Sequence, residues 1–89
     1  MKTSKNKPTN ISTLITKKRK ELGLTQADSA KLLGYTSAQF VSDWERSVSV
    51  IPFCKIKIYA NFLKTPVSIL IEALLKDYKI SMQEEIKKS

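Results

Sequence analysis

Eighty-nine residues with sixteen Lys and Arg against eight Asp and Glu, a net charge of +8, 42% hydrophobic and 27% charged, describe one small globular domain without room for a large buried active-site cavity. Histidine is absent and Cys54 stands alone, which excludes histidine-dependent triads, Cys/His zinc sites and an internal disulfide. The longest apolar cluster, Ile69 to Leu75, is interrupted by Glu72 and falls far short of the roughly 20 residues that cross a bilayer.

The first ten residues, MKTSKNKPTN, are polar, contain Pro8 and show no periodicity, so residues 1–10 read as a flexible basic arm. No apolar h-region follows, so no signal peptide is expected and a cytoplasmic chain is the default. A first helix is predicted from Ile11 or Ser12, with Ile11, Leu14, Ile15 and Leu22 on one face and Gly23 as a left-handed stop. Thr25 caps a second helix, with Asp28 placed to complete a capping box. Ala27, Ala30 and Leu33 make its buried side, and Gly34 ends it.

Ser37 is the expected cap of a third helix, in which Val41 and Trp44 point inward and Asp43 to Ser47 form the last turn. Pro52 opens a fourth helix, along which Phe53, Ile56, Ala60 and Leu63 recur at helical spacing. Thr65 and Pro66 repeat that start for a fifth, running through Leu75 and as far as Tyr78. No alternating strand pattern and no repeat interrupts the series, so the chain reads as an all-α domain over residues 11–78, with a C-terminal tail over 79–89. Cys54, in the first turn of the fourth helix, is expected to pack as a small hydrophobe.

Two features bear on function. Residues 1 to 20 carry Lys2, Lys5, Lys7, Lys17, Lys18, Arg19 and Lys20 with no acid, so one end of the molecule attracts polyanions: nucleic acid, an anionic membrane surface or an acidic protein. On the third helix, Gln39, Ser42, Asp43 and Arg46 fall at i, i+3, i+4 and i+7, a polar face opposite Val41 and Trp44. Such a face fits plain solvent or a DNA major groove, where glutamine bonds the N6 and N7 edge of adenine and an aromatic ring such as Phe40 packs on a thymine methyl. Gln26, in the first turn of the second helix, is placed to contact a phosphate beside the positively polarised helix end.

The segment KRKELGLTQADSAKLLG (Lys18 to Gly34), followed by Gln39, Val41, Ser42, Trp44, Glu45 and Arg46, resembles the phage repressor and Cro-type helix-turn-helix family of transcription regulators. The similarity runs from about Ile11 to Leu74, with Pro52, Ala60, Leu63 and Leu70 matching that family's fourth and fifth helices. It implies a five-helix, lambda-repressor-like DNA-binding domain whose helix-turn-helix is made by the second and third helices. By the same resemblance, Ser37, Ala38, Gln39 and Phe40 lie nearest the bases, with Ser42, Asp43 and Arg46 flanking them. Thr25 and Gln26 meet phosphate, and Arg19 pairs with Glu45 to fix the angle of the third helix.

Two positions depart from the family pattern: Ser29 stands where a large apolar residue is usual, and the loop Ser47 to Ile51 lacks glycine and basic residues. Lys17 and Lys20 on the first helix, with Arg46, are then the expected backbone anchors. Apolar residues cover more of the fifth helix than one domain needs, which predicts a homodimer through Ile69, Leu70, Ala73, Leu74 and Tyr78, extended by Ile80, Met82 and Ile86. The function expected is a sequence-specific regulator, a repressor from a phage or mobile element, acting on double-stranded DNA at a near-palindromic operator. A DNA-binding antitoxin with a toxin partner, a regulator met by an antirepressor, or a protein-interaction module that has kept only the fold are the alternatives. No enzyme activity, metal or other cofactor is expected, because no nucleophile-base pair or phosphate-cradling glycine loop is visible and the acids are scattered.

Overall fold

The computed structural model describes residues 7–88, which form five α-helices and no strand. They are α1 (Asn10–Glu21), α2 (Gln26–Leu32), α3 (Gln39–Glu45), α4 (Phe53–Phe62) and α5 (Val67–Lys88). Residues 1–6 of the expected arm, with Lys2 and Lys5, lie outside the described residues. The all-α class and the lambda-repressor-like arrangement are those of the chain.

Local chemistry sets most of the boundaries. Thr9 caps α1 through a reciprocal box, its hydroxyl accepting from Ser12 N while Thr9 N donates to Ser12 Oγ. Thr25 does the same for α2 with Asp28, at 2.9 Å in both directions. Each of the first two helices ends on a glycine, Gly23 (φ 73°) and Gly34 (φ 88°), in the left-handed region that spares a Cβ clash. Leu24 N then reaches back to Arg19 O and Tyr35 N to Ala30 O, closing the Schellman pattern. The ends of α3 and α4 make the same turn with Ser47 (φ 62°) and Lys64 (φ 53°), which are not glycines.

The core gathers one stripe from every helix: Ile11 and Ile15, Ala30 and Leu33, Val41 and Trp44, Ile56, Tyr59, Ala60 and Leu63, and Leu70, Ala73 and Leu74, with Ile51 inserted from the loop before α4. α1 packs on α5 and α3, α2 on α3, and α4 on α5, so α3 is backed on two sides while its outer face stays open.

Several expectations change. Ala27 is exposed, and Ser29 takes the buried place on α2, where its hydroxyl accepts from Tyr59 Oη at 3.0 Å. A polar residue is tolerated there because the tyrosine fills the space and meets the hydroxyl. α3 starts at Gln39 after Ala38, without a side-chain cap, and Ser37 Oγ accepts only a 3.3 Å bond from Gln39 N. Leu22 and Phe53 are exposed, the latter 70%, because each lies in an end turn beyond the packed stripe. Cys54 is exposed, on the side of α4 opposite Ile56, Tyr59 and Ala60, and does not pack as a hydrophobe. α5 continues past Tyr78 to Lys88.

Candidate nucleic-acid interface

One carboxylate at the end of α3 ties that helix to α1 and to the start of α2. Arg19 of α1 donates to both oxygens of Glu45, Nε at 2.6 Å and Nη2 at 2.9 Å, and its Nη1 donates to Leu24 O at 2.7 Å. Gln26 Nε2 adds a third donor to Glu45 at 3.0 Å. The two ionic side chains are 9% and 5% exposed, so this fork is shielded from water and salt. The bond to Glu45 raises the pKa of the Arg19 guanidinium against the opposing pull of burial. Three helices are therefore tied at the C-terminal end of α3, which fixes its tilt.

The outer face of α3 forms a second, exposed chain of bonds. Gln39 Nε2 donates to Asp43 Oδ1 at 2.8 Å, and Arg46 Nη2 donates to the same oxygen at 2.7 Å. Arg46 Nε also donates to Ser42 Oγ at 3.1 Å. Asp43 thus sits between an amide and a guanidinium that offset its charge. Each of these side chains keeps donor capacity beyond these bonds: a glutamine amide carries two N–H groups and a guanidinium five.

Phe40, beside that row, is 51% exposed. It is backed by Tyr35, whose ring centroid lies 4.7 Å away, and Tyr35 in turn meets Trp44 edge-on at 5.9 Å. Lys55 of α4 lies over the Tyr35 ring, 5.1 Å from its centroid, and donates to Leu33 O. Burial pushes the Tyr35 phenol above its ordinary pKa. The result is an exposed ring on a rigid support. Nothing in the local pattern singled out Tyr35 or Lys55, since their effect on Phe40 arises only once the α2–α3 turn and α4 are brought together.

The remaining expected positions separate into two groups. Ser37, Gln39, Arg46, Lys17, Lys20 and Thr25 are exposed, and Ala38, Ser42, Asp43 and Gln26 are half-buried. Lys17, Lys20 and Glu45 line one shallow depression between α1 and α3, so both lysines stand next to the end of α3. At the start of α2, Asp28 is held below its ordinary pKa by the Thr25 N–H, and its charge lies where an incoming phosphate would approach. Thr25 retains its hydroxyl hydrogen as a donor, since its oxygen acts as the acceptor from Asp28 N.

The assumed dimer surface needs correction. Leu70, Ala73 and Leu74 are core residues, because they form the face of α5 that covers α1 and α4. Ile69 and Tyr78 are exposed, though on different sides of the helix. Sequence reasoning also missed Asp77, whose carboxylate accepts from Asn10 N (2.8 Å), Asn10 Nδ2 (3.0 Å) and Ile11 N (2.9 Å) and so caps α1 from the far end of the chain.

No helix is long and apolar enough to cross a membrane, and no group of residues suited to hold a metal ion occurs among the described residues. A family model for the helix-turn-helix matches residues 15–70, from the middle of α1 to the first turn of α5. No curated protein and no solved structure matches the chain.

Proposed function

This chain belongs to the Cro/C1-type helix-turn-helix family of DNA-binding regulators, and from that premise we propose that it is a sequence-specific transcription regulator, a repressor that occupies a near-palindromic operator as a dimer. The observation that carries this reading is the outward row of Gln39, Phe40, Asp43 and Arg46 on a helix whose opposite side, Val41 and Trp44, is locked in the core. A major groove about 12 Å wide admits such a helix with its N-terminal residues at the base edges. Gln39 reads adenine, Phe40 packs against a thymine methyl, and Asp43 accepts from cytosine N4 or orients Arg46 toward the backbone.

Backbone contacts set the register without reading sequence. Lys17 and Lys20 flank the end of α3 and supply charge, and Thr25 and the second amide hydrogen of Gln26 supply donors at the start of α2. Asp28 disfavours a phosphate seated squarely on that helix end, so the lysines carry the larger electrostatic share. In a dimer, two such helices meet successive major-groove turns about 34 Å apart.

Selection from random double-stranded DNA, with sequencing of the bound pool, tests the proposal. An enriched motif with two inverted half-sites is the expected result. A pool left unenriched, with binding no tighter than to bulk DNA, points instead to a protein-interaction module that keeps the fold alone. Purification with a second, tightly held protein would identify the antitoxin variant of the same reading.

A further inference from the structure

Of the apolar side chains of α3, Val41 and Trp44 are buried and only Phe40 faces water, 51% exposed. An exposed ring ordinarily turns among its rotamers. This one is held. Half-buried Tyr35 lies 4.7 Å from it with the ring planes 33° apart, inside the range of favourable aromatic pairs. Tyr35 itself leans edge-on against Trp44 at 5.9 Å, and its backbone N–H is fixed to Ala30 O at 2.9 Å in the turn that ends α2.

Lys55 completes the support from α4. Its ammonium lies 5.1 Å from the Tyr35 centroid, within cation–π reach, and donates at 2.9 Å to Leu33 O, at the end of α2. A surface lysine ordinarily keeps its charged head in water, as exposed Lys57 and Lys64 do, whereas Lys55 is half-buried. Its one charge is committed to the ring and the carbonyl together, so α4 clamps the turn from which Tyr35 backs Phe40.

Asp43 adds an acceptor beside the ring. Its Oδ1 receives both Gln39 and Arg46, and its Oδ2 receives neither. Residues three apart on a helix are neighbours, so Phe40 and Asp43 stand side by side. In the major groove a pyrimidine presents its C4 and C5 substituents side by side as well: cytosine an N4 donor, thymine an O4 acceptor and a C5 methyl.

We infer that Tyr35 and Lys55 are positioning residues that hold the Phe40 ring as a sensor of the C5 methyl group of one pyrimidine, so that affinity for DNA depends on that methyl. The inference rests on the DNA-reading role proposed for α3, and it names the chemical group read and the residues that set the reader. Thymine and 5-methylcytosine both carry the group. With the second, Asp43 Oδ2 accepts from N4 of the same base, and binding responds to cytosine methylation. A ring fixed before contact gives up little freedom on binding, so it keeps the advantage of the methyl that a swinging ring would lose.

Operator duplexes recovered by selection are resynthesised one position at a time, with uracil for thymine in one arm and 5-methylcytosine for cytosine in the other, and titrated by fluorescence anisotropy. At one pyrimidine of each half-site, wild type should prefer the methylated base about four-fold, the worth of one buried methyl-sized group. The arm that shows the effect identifies the base. Phe40→Ala, Tyr35→Leu and Lys55→Met should abolish most of that ratio, which does not depend on the folded fraction. Tyr35→Phe and Lys55→Arg, which keep a ring and a cation, should retain it. Lys55→Met should leave the salt dependence of binding unchanged, because its ammonium is spent on Tyr35 and Leu33 O.

A selected motif with no methyl preference at any pyrimidine overturns the inference and leaves the regulator reading in place. A preference that survives both Tyr35→Leu and Lys55→Met removes their positioning role. A slope of log K against log salt lowered by about 0.9 in Lys55→Met makes that lysine a phosphate contact instead, and the inference fails. A pool without any motif is a different result: it removes the DNA-reading role itself, and the methyl sensor with it.

Discussion

Replacing Glu45 with alanine leaves the Arg19 guanidinium in a shielded site without its anion, and deprives Gln26 Nε2 of its acceptor. The expected loss is about 3 to 5 kcal/mol in urea unfolding, far above the roughly 0 to 1 kcal/mol of an exposed pair. Tyr59→Phe tests the other buried contact: the Ser29 hydroxyl loses its donor inside the core, at about 1 to 3 kcal/mol. Burial raises the Tyr59 phenol above its ordinary value. A raised folded pKa means that its stabilising share is full below the ordinary phenol range and falls as pH rises through the raised value. Wild type should thus lose stability in alkali more steeply than Tyr59→Phe, measured as unfolding midpoints at neutral and alkaline pH. Gln39→Ala should relax preference at one base position by about 1 to 3 kcal/mol in competition binding, with thermal stability unchanged because the side chain is exposed. Residues such as Gln39, Val41 and Trp44 were legible because helical spacing alone sorts inside from outside. Ser29 was not, since the hydroxyl that satisfies it belongs to a residue thirty positions away.

Helix ends were readable where the chemistry is local. The Thr25–Asp28 box and the two glycines sit within a few residues of the boundaries they set, and they mark the α1–α2 and α2–α3 turns. The start of α1 is only partly of that kind: the Thr9–Ser12 box is local, while Asp77 supplies further acceptors across sixty-six or more residues, which no local pattern discloses. Asp77→Ala should cost about 1 kcal/mol, in the range of lost N-caps, and speed amide exchange at Asn10 and Ile11 before the rest of the helix. α5 was underestimated for a related reason. No glycine or proline follows Tyr78, and its projecting half lacks the one-sided core pattern by which the other helices are recognised.

At the scale of the whole molecule, sixteen basic residues against eight acids make association with DNA a counterion-release process. Affinity should fall steeply as salt rises, and Lys17→Ala should weaken binding to every sequence alike while lowering the slope of log K against log salt by about 0.9. Filter or fluorescence titrations at several salt concentrations measure both. The fold was accessible from periodicity and resemblance together, whereas the Phe40–Tyr35–Lys55 support required three elements in space. The separation between the buried Glu45 fork and the open row of α3 has a further consequence. Positions 39, 40, 43 and 46 should be exchangeable as a set without disturbing the anchor that aims them, so that on the proposed reading surface substitution alone retargets the domain to a different operator.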